Sequence, residues 1–168
     1  GMLEHDRRMA DALAAQDHLY TLIERQSDAT TVTVIGSITE YCLAVDDHSI
    51  GAKRIADPDV AIVSLTITEG GYNIAEKTGQ FDLTSPEVQA DLAPESTPRT
   101  VFRFVVEAMQ RRRIAGAGPV TILSCDNLRS NGAVSRKAFM GFAEAFDPAT
   151  AEWMAANVSF PDSMVDRI

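Results

Sequence analysis

The 168 residues include only two cysteines, Cys42 and Cys125, one tryptophan and three histidines, and these shortages exclude several classes of protein. Two cysteines cannot staple a scaffold. Both sit in strand-like apolar surroundings, where a reduced thiol packs as a small hydrophobe, a usage that fits a cytoplasmic protein. His5, His18 and His48 show no ligand spacing and have no cysteine partners, so no metal site is expected. No apolar run reaches the length of a membrane span, and the start lacks a basic-then-apolar signal pattern. Positive charge is scarce as well. Fifteen Lys and Arg stand against 24 Asp and Glu, a net charge of −9 that argues against nucleic acid or an anionic membrane as partner. What remains, 45% hydrophobic and 23% charged without repeats or low-complexity linkers, is the composition of one soluble domain.

The pattern along the chain predicts alternating elements. Residues 6–16 read as a helix with Met9 and Leu13 on its apolar face. Residues 19–24 alternate as a strand, 31–44 form a longer β-rich run, and the turn at 26–30 joins them as a hairpin. A short helix at 49–56 stops at Asp57-Pro58-Asp59. Residues 60–67 are almost unbroken apolar sequence, the best candidate for a central parallel strand. Helices follow at 86–92 and at 99–115, the latter with Gly116 just past its end. A strand at 120–123, helices at 130–146 and 148–156, and a short strand at 158–160 complete the chain. Strand, helix, strand, helix, strand is the order of an α/β fold with a Rossmann-like parallel sheet and crossover helices. Nothing resembling Gly-x-Gly-x-x-Gly follows a first strand, so the turn that holds pyrophosphate at a helix N-terminus has no counterpart in this sequence.

The segment Ile122-Leu-Ser-Cys-Asp-Asn-Leu-Arg-Ser-Asn-Gly132 places polar chemistry at the end of a buried strand. Ligands of open α/β sheets bind outside the carboxyl ends of the strands. Asn127 therefore stands where an amide could donate to a reacting oxygen. A loop whose Asn and Asp side chains only cap the next helix would carry the same residues. The Arg111-Arg-Arg113 run, at a helix C-terminus, reads as a solvated end offsetting the macrodipole, with a phosphate grip as the alternative.

Four blocks in order carry a resemblance: Gln16-Asp-His-Leu-Tyr-Thr-Leu22, Thr66-Ile-Thr-Glu-Gly-Gly-Tyr72, Ser124-Cys-Asp-Asn-Leu-Arg-Ser-Asn-Gly132 and Phe160-Pro-Asp-Ser-Met-Val-Asp-Arg-Ile168. Together they resemble the polyol-specific long-chain dehydrogenases, the family of mannitol 2-dehydrogenase and fructuronate reductase, from about Glu4 to Ile168. The resemblance implies hydride transfer between a nicotinamide and the carbinol or carbonyl carbon of an open-chain sugar. It also implies that residues 1–168 are a partial NAD-binding domain. The first strand, its glycine-rich turn and the C-terminal catalytic domain with its lysine base are not in this sequence. Two positions depart from the family pattern: Asp162 stands where Asn is usual, and Arg129-Ser130 replace a more usual Pro-Gly.

Carried over residue by residue, Asn127 matches the amide that the nucleotide-binding domain supplies to the oxyanion, and Asp166 matches an aspartate near the active site and domain junction. Asp166 could equally pair with Arg167. Thr66, Thr68 and Glu69 would edge the dinucleotide crevice, where hydroxyls reach ribose or phosphate, with Gly70-Gly71 allowing a tight turn. Glu4 and Asp6 lie where the second Rossmann strand would end. A carboxylate there holds the adenosine ribose and disfavours a 2′-phosphate, which favours NAD over NADP; Asp6 is also a good helix N-cap. The expected whole is a fragment of an NAD-dependent polyol or uronate oxidoreductase, binding NAD weakly or not at all and inactive alone. The alternative is a non-catalytic, oligomerising or weakly nucleotide-binding module. Either way, strand edges left without a neighbour predict a homo-oligomer built through strand pairing or exchange.

Overall fold

The computed structural model describes residues 7–44, 46–93 and 95–165. The chain divides into two compact units, Gly1–Gly51 and Ala52–Ile168.

The first unit holds helix α1 (Arg7–Ala14) and the antiparallel strands β1 (Tyr20–Arg25) and β2 (Thr30–Ile35). The hairpin closes with Arg25 opposite Thr30 and Gln26 N–H donating to Ala29 O at 2.8 Å. The β-rich run expected over 31–44 is a strand only as far as Ile35. A strand persists only where a neighbour accepts its hydrogen bonds, and the six residues of β1 pair with six residues of β2. Cys42 consequently lies outside any strand. Arg7 forms a two-pronged ion pair with Asp46.

Helix α2 (His48–Ala56) leads into the second unit. There follow β3 (Ile62–Leu65), a single 3₁₀ turn (Glu69–Tyr72), α3 (Pro86–Leu92), α4 (Val101–Ala115), β4 (Val120–Ser124), α5 (Asn131–Phe146), α6 (Pro148–Asn157) and β5 (Val158–Ser159). The three strands are parallel in the order β3-β4-β5. The central strand is therefore β4, not the run over 60–67 expected to hold that place. Strand β3 is an edge of the described sheet, and Ile62 is 59% exposed. An apolar run alone does not distinguish a central strand from an edge whose other side carries no strand.

Along β4 the side chains alternate, with Val120, Ile122 and Ser124 buried. That face packs on α5, and α4 and α6 pack on α5 in turn. Phe81, Phe102, Phe139 and Phe142 meet there edge to face or stacked, Phe81 and Phe102 with centroids 4.9 Å apart, around Met109, Val105 and Val106. Helix α4 begins two residues later than expected because Thr100 is its N-cap. The buried Asp91 carboxylate accepts from Arg99 N, Thr100 N and Thr100 Oγ1 and so satisfies that end. At the other end Gly116 takes the left-handed conformation (φ 66°), and Ala117 N–H reaches back to Arg112 O.

The arginine run does not form a solvated end. Arg112 is fully buried, donating to Ile55 O, Asp57 O, Gly118 O and Pro119 O. Arg111 pairs with Glu107, and Arg113 pairs with Asp147. The carbonyls of Ile55 and Asp57, where α2 ends, and of Gly118 and Pro119, where the chain turns into β4, lie outside the sheet ladder and converge on this one side chain. A guanidinium with five donors satisfies several at once.

Candidate functional site

Parallel register sets Leu65 opposite Ser124, so β3 and β4 leave the sheet at the same end, and Cys125 N–H extends the ladder to Leu65 O at 2.8 Å. Continuing the alternation of β4, Asp126 is 8% exposed and turned to the same side as Ser124. Its Oδ1 accepts from Thr68 N at 2.9 Å. Its Oδ2 accepts from Ile67 N at 3.2 Å and from Tyr72 Oη at 2.6 Å. Tyr72, 1% exposed, also shares a 2.6 Å hydrogen bond with Ser124 Oγ. Burial first, and then the bond to Asp126, push the Tyr72 hydroxyl well above its ordinary range, so it remains a donor at any physiological pH. The loop after β3 is thus bolted to the loop after β4 through one carboxylate.

The start of α5 adds a second lock. Asn131, 1% exposed, donates through Nδ2 to Asp126 O, Ser163 O and Ser163 Oγ, while its Oδ1 accepts from Ser163 N. Ser163 Oγ donates to Ser124 O at 2.5 Å. Gly132 N–H donates to Asp162 Oδ1 at 2.8 Å, which places a carboxylate at the positive end of a helix of sixteen residues. The approach is close enough that a Cβ on Gly132 would stand 2.5 Å from Pro161 C and O. The segment 160–163 therefore passes over the carboxyl end of β4.

Thr66, Thr68, Glu69 and Asn127 all follow the carboxyl ends of β3 and β4 and are exposed. Among the described residues none of the four side chains has a hydrogen-bond partner, and Asn127 does not cap α5. Glu4, Asp6 and Asp166 lie outside the described residues. The glycine pair expected to make the tight turn is not what bends it. Thr68 (φ 67°, ψ 165°) and Asn73 (φ 51°, ψ 42°) hold positive φ, and neither Gly70 nor Gly71 does. Tyr72, Asp126, Asn131, Asp162 and Ser163 were not anticipated as a unit. The signal available was the alternation Val120, Ile122, Ser124, Asp126, which puts two polar residues on the buried face of a strand, where they must find partners.

A shallow cavity of about 380 Å³ opens at the opposite end of the sheet, lined by Ala61, Pro119, Asn157 and Ser159 among others. It contains no titratable side chain and is remote from the strand ends where ligands of such sheets bind. Among the described residues no group of three His, Cys, Asp or Glu could hold a metal ion, and no helix is long and apolar enough to cross a membrane.

Comparison with known proteins agrees with this geometry. Residues 2–168 match the family model of the mannitol dehydrogenase Rossmann domain. The polyol:NADP oxidoreductase of Gluconobacter oxydans (strain 621H) is 51% identical over 166 residues, which cover 98% of this chain and 34% of that protein. The ternary complex of Pseudomonas fluorescens mannitol 2-dehydrogenase with NAD and D-mannitol superposes with a TM-score of 0.93 at 48% identity, covering 99% of this chain and 34% of that one. Substrate-free D-sorbitol dehydrogenase gives a TM-score of 0.92 at 49% identity over 100% and 35% of the two chains. The chain spans about a third of the length of the relatives it matches. Its parallel sheet, the polar loops at the carboxyl ends of β3 and β4, and a match over residues 2–168 place this chain in the mannitol dehydrogenase family, as its Rossmann domain.

Proposed function

We propose that this chain is the dinucleotide-binding part of an NAD-dependent oxidoreductase acting on a sugar alcohol or the corresponding ketose or uronate. One observation carries the reading: the exposed side chains of Thr66, Thr68, Glu69 and Asn127, without hydrogen-bond partners among the described residues, follow the ends of two adjacent parallel strands, on loops held by a buried polar network. Bound NAD supplies the hydride acceptor. Thr66 and Thr68 donate hydroxyl hydrogen bonds to ribose or phosphate oxygens, and Glu69 accepts from ribose hydroxyls. Asn127, a neutral donor needing no reorganisation, meets the oxygen on which negative charge develops. The resemblance alone supports the roles expected for Glu4, Asp6 and Asp166, the first two favouring NAD over NADP. The base lies outside these 168 residues. With no glycine-rich turn to cradle pyrophosphate, the chain by itself binds NAD weakly or not at all and turns over neither mannitol nor fructuronate.

The test is an exchange. Residues 2–168 replace the matching segment of the Pseudomonas fluorescens mannitol 2-dehydrogenase, and reduced nicotinamide is followed with mannitol as substrate. A folded chimera that reduces NAD supports the reading; a folded chimera that neither binds NAD nor reduces it overturns it. For the isolated chain, calorimetry showing micromolar NAD affinity would contradict the account.

A second reading, an oligomerising module without catalysis, is favoured by the hairpin of the first unit. Leu22, Ile23, Val32 and Val34 on β1 and β2 are 44–65% exposed. Such edges and faces recruit further strands, and we propose a homo-oligomer on that ground for the isolated chain.

A further inference from the structure

Thr68 has a backbone conformation almost closed to side chains that carry a Cβ, and more so to a β-branched one. Asn73 (φ 51°, ψ 42°) and Ser130 (φ 52°, ψ 48°) also have positive φ, but they occupy the left-handed helical region that polar residues visit. Thr68, at φ 67° and ψ 165°, does not. A conformation of this kind persists only where its surroundings over-determine it. Here they do. The carboxylate of Asp126 takes three donors, the amides of Ile67 and Thr68 and the hydroxyl of Tyr72. The amide of Gly71 closes the turn on Thr68 O at 3.1 Å. Asp126 is itself held, its carbonyl accepting from Asn131 Nδ2 and from Leu128 N. The next residue in the chain is Asn127.

We propose that Asp126 is a positioning residue: with the Tyr72 hydroxyl it holds Thr68 in this disfavoured conformation, and so sets the Thr68 hydroxyl at a fixed place in the dinucleotide crevice relative to Asn127. The inference rests on the reading of that crevice given above. A carboxylate is required because an amide at position 126 offers one acceptor oxygen and turns an NH₂ against a backbone N–H. Neither Asp126 nor Tyr72 reaches the crevice; they act through Thr68.

Two measurements test it. In the isolated chain, the Thr68 amide–Hα coupling together with the intraresidue amide–Hα NOE, strong only at positive φ, reports the sign of φ, and amide exchange reports protection at Ile67 and Thr68. Positive φ and protection are expected in the parent chain. In Asp126→Asn and the milder Tyr72→Phe, φ should turn negative and both amides should lose protection; φ that stays positive in both variants overturns the clamp. In the chimera, Tyr72→Phe should raise KM for NAD by roughly 3–10-fold, the scale of one lost hydrogen bond, with kcat little changed. Thr68→Gly should raise KM similarly, and adding Tyr72→Phe to it should change nothing more, as expected when one residue acts through another. An active chimera whose KM is unmoved by Tyr72→Phe, or in which the two effects multiply independently, overturns the positioning role. A parent chimera that folds but does not bind NAD removes the dinucleotide reading instead, and the coupling measurement still decides whether Asp126 holds Thr68.

Discussion

Two residues one position apart in the chain behave in opposite ways. Asp126 spends its carboxylate on three internal donors, whereas Asn127 is exposed with no hydrogen bond among the described residues. Substituting Asn127 should therefore leave stability almost untouched. In the active chimera, Asn127→Ala is expected to lower kcat by about 10²–10³-fold, the usual loss for one oxyanion donor, with a melting temperature within a degree or two of the parent. Equal loss of stability and activity would show a structural residue. Asp147, N-cap of α6, presents a different case. The Thr150 hydroxyl and the Gln110 amide, with help from Ala149 N–H and Arg113 and against a smaller effect of burial, lower its pKa to about 2. Because the folded value lies below the unfolded one of about 3.9, the stabilisation is complete above roughly pH 4 and is lost as pH falls toward 2. Asp147→Asn should flatten stability in that window, measured by denaturant titration between pH 5 and 2. Asp147→Ala should cost about 1–2 kcal/mol at neutral pH, as for other N-caps.

At the scale of elements, the N-terminus of α5 is a docking point for the segment 160–163. Asn131 and Gly132 receive Ser163 and Asp162, and the glycine lets Pro161 approach where a methyl group would overlap it. Gly132→Ala must push that segment away and should destabilise by about 1–3 kcal/mol, as overpacking does. Gly70 offers the control, since a Cβ there meets nothing within 4 Å and its φ is not positive. Gly70→Ala should be neutral or stabilising by up to about 1 kcal/mol through the unfolded chain. Urea titration of the two variants decides the matter; equal effects would mean that the close approach at Gly132 is not what holds 160–163. The element boundaries follow the same logic of partners. Pro86–Leu92 was legible to the residue, because Ser85 caps it and Pro86 opens it. The run over 31–44 was not, because its length as a strand depended on how many residues β1 could offer.

For the molecule as a whole, exposed apolar side chains on one hairpin decide the behaviour expected in solution. Ile23, Val32 and Val34 share one face by the register Ile23–Val32 and Thr21–Val34, and all three are more than half exposed. The isolated chain is expected to form a dimer or higher oligomer at micromolar concentration, and Val32→Lys with Val34→Lys should shift it toward monomer by placing two like charges on that face. Multi-angle light scattering reads the mass. A parent chain that is monomeric and unfolds cooperatively defeats the expectation.

What the sequence by itself determined was the order of elements and the place where chemistry gathers. Periodicity, caps and the proline and glycine stops are local, so helices such as Asn131–Phe146 and the strand Val120–Ser124 were readable within a residue or two, and with them the polar loops after β3 and β4. The four ordered motifs also pointed to the family that residues 2–168 match. Only the tertiary structure decided which strand is central, that Arg112 is buried among carbonyls, and that Asp126 belongs to the scaffold while Asn127 is left exposed. The physical reason is common to all three. Burial and hydrogen-bond satisfaction are settled by partners distant in sequence, 54 residues away for Tyr72 and Asp126 and 55 for Arg112 and Asp57, and no local pattern records which partner will arrive.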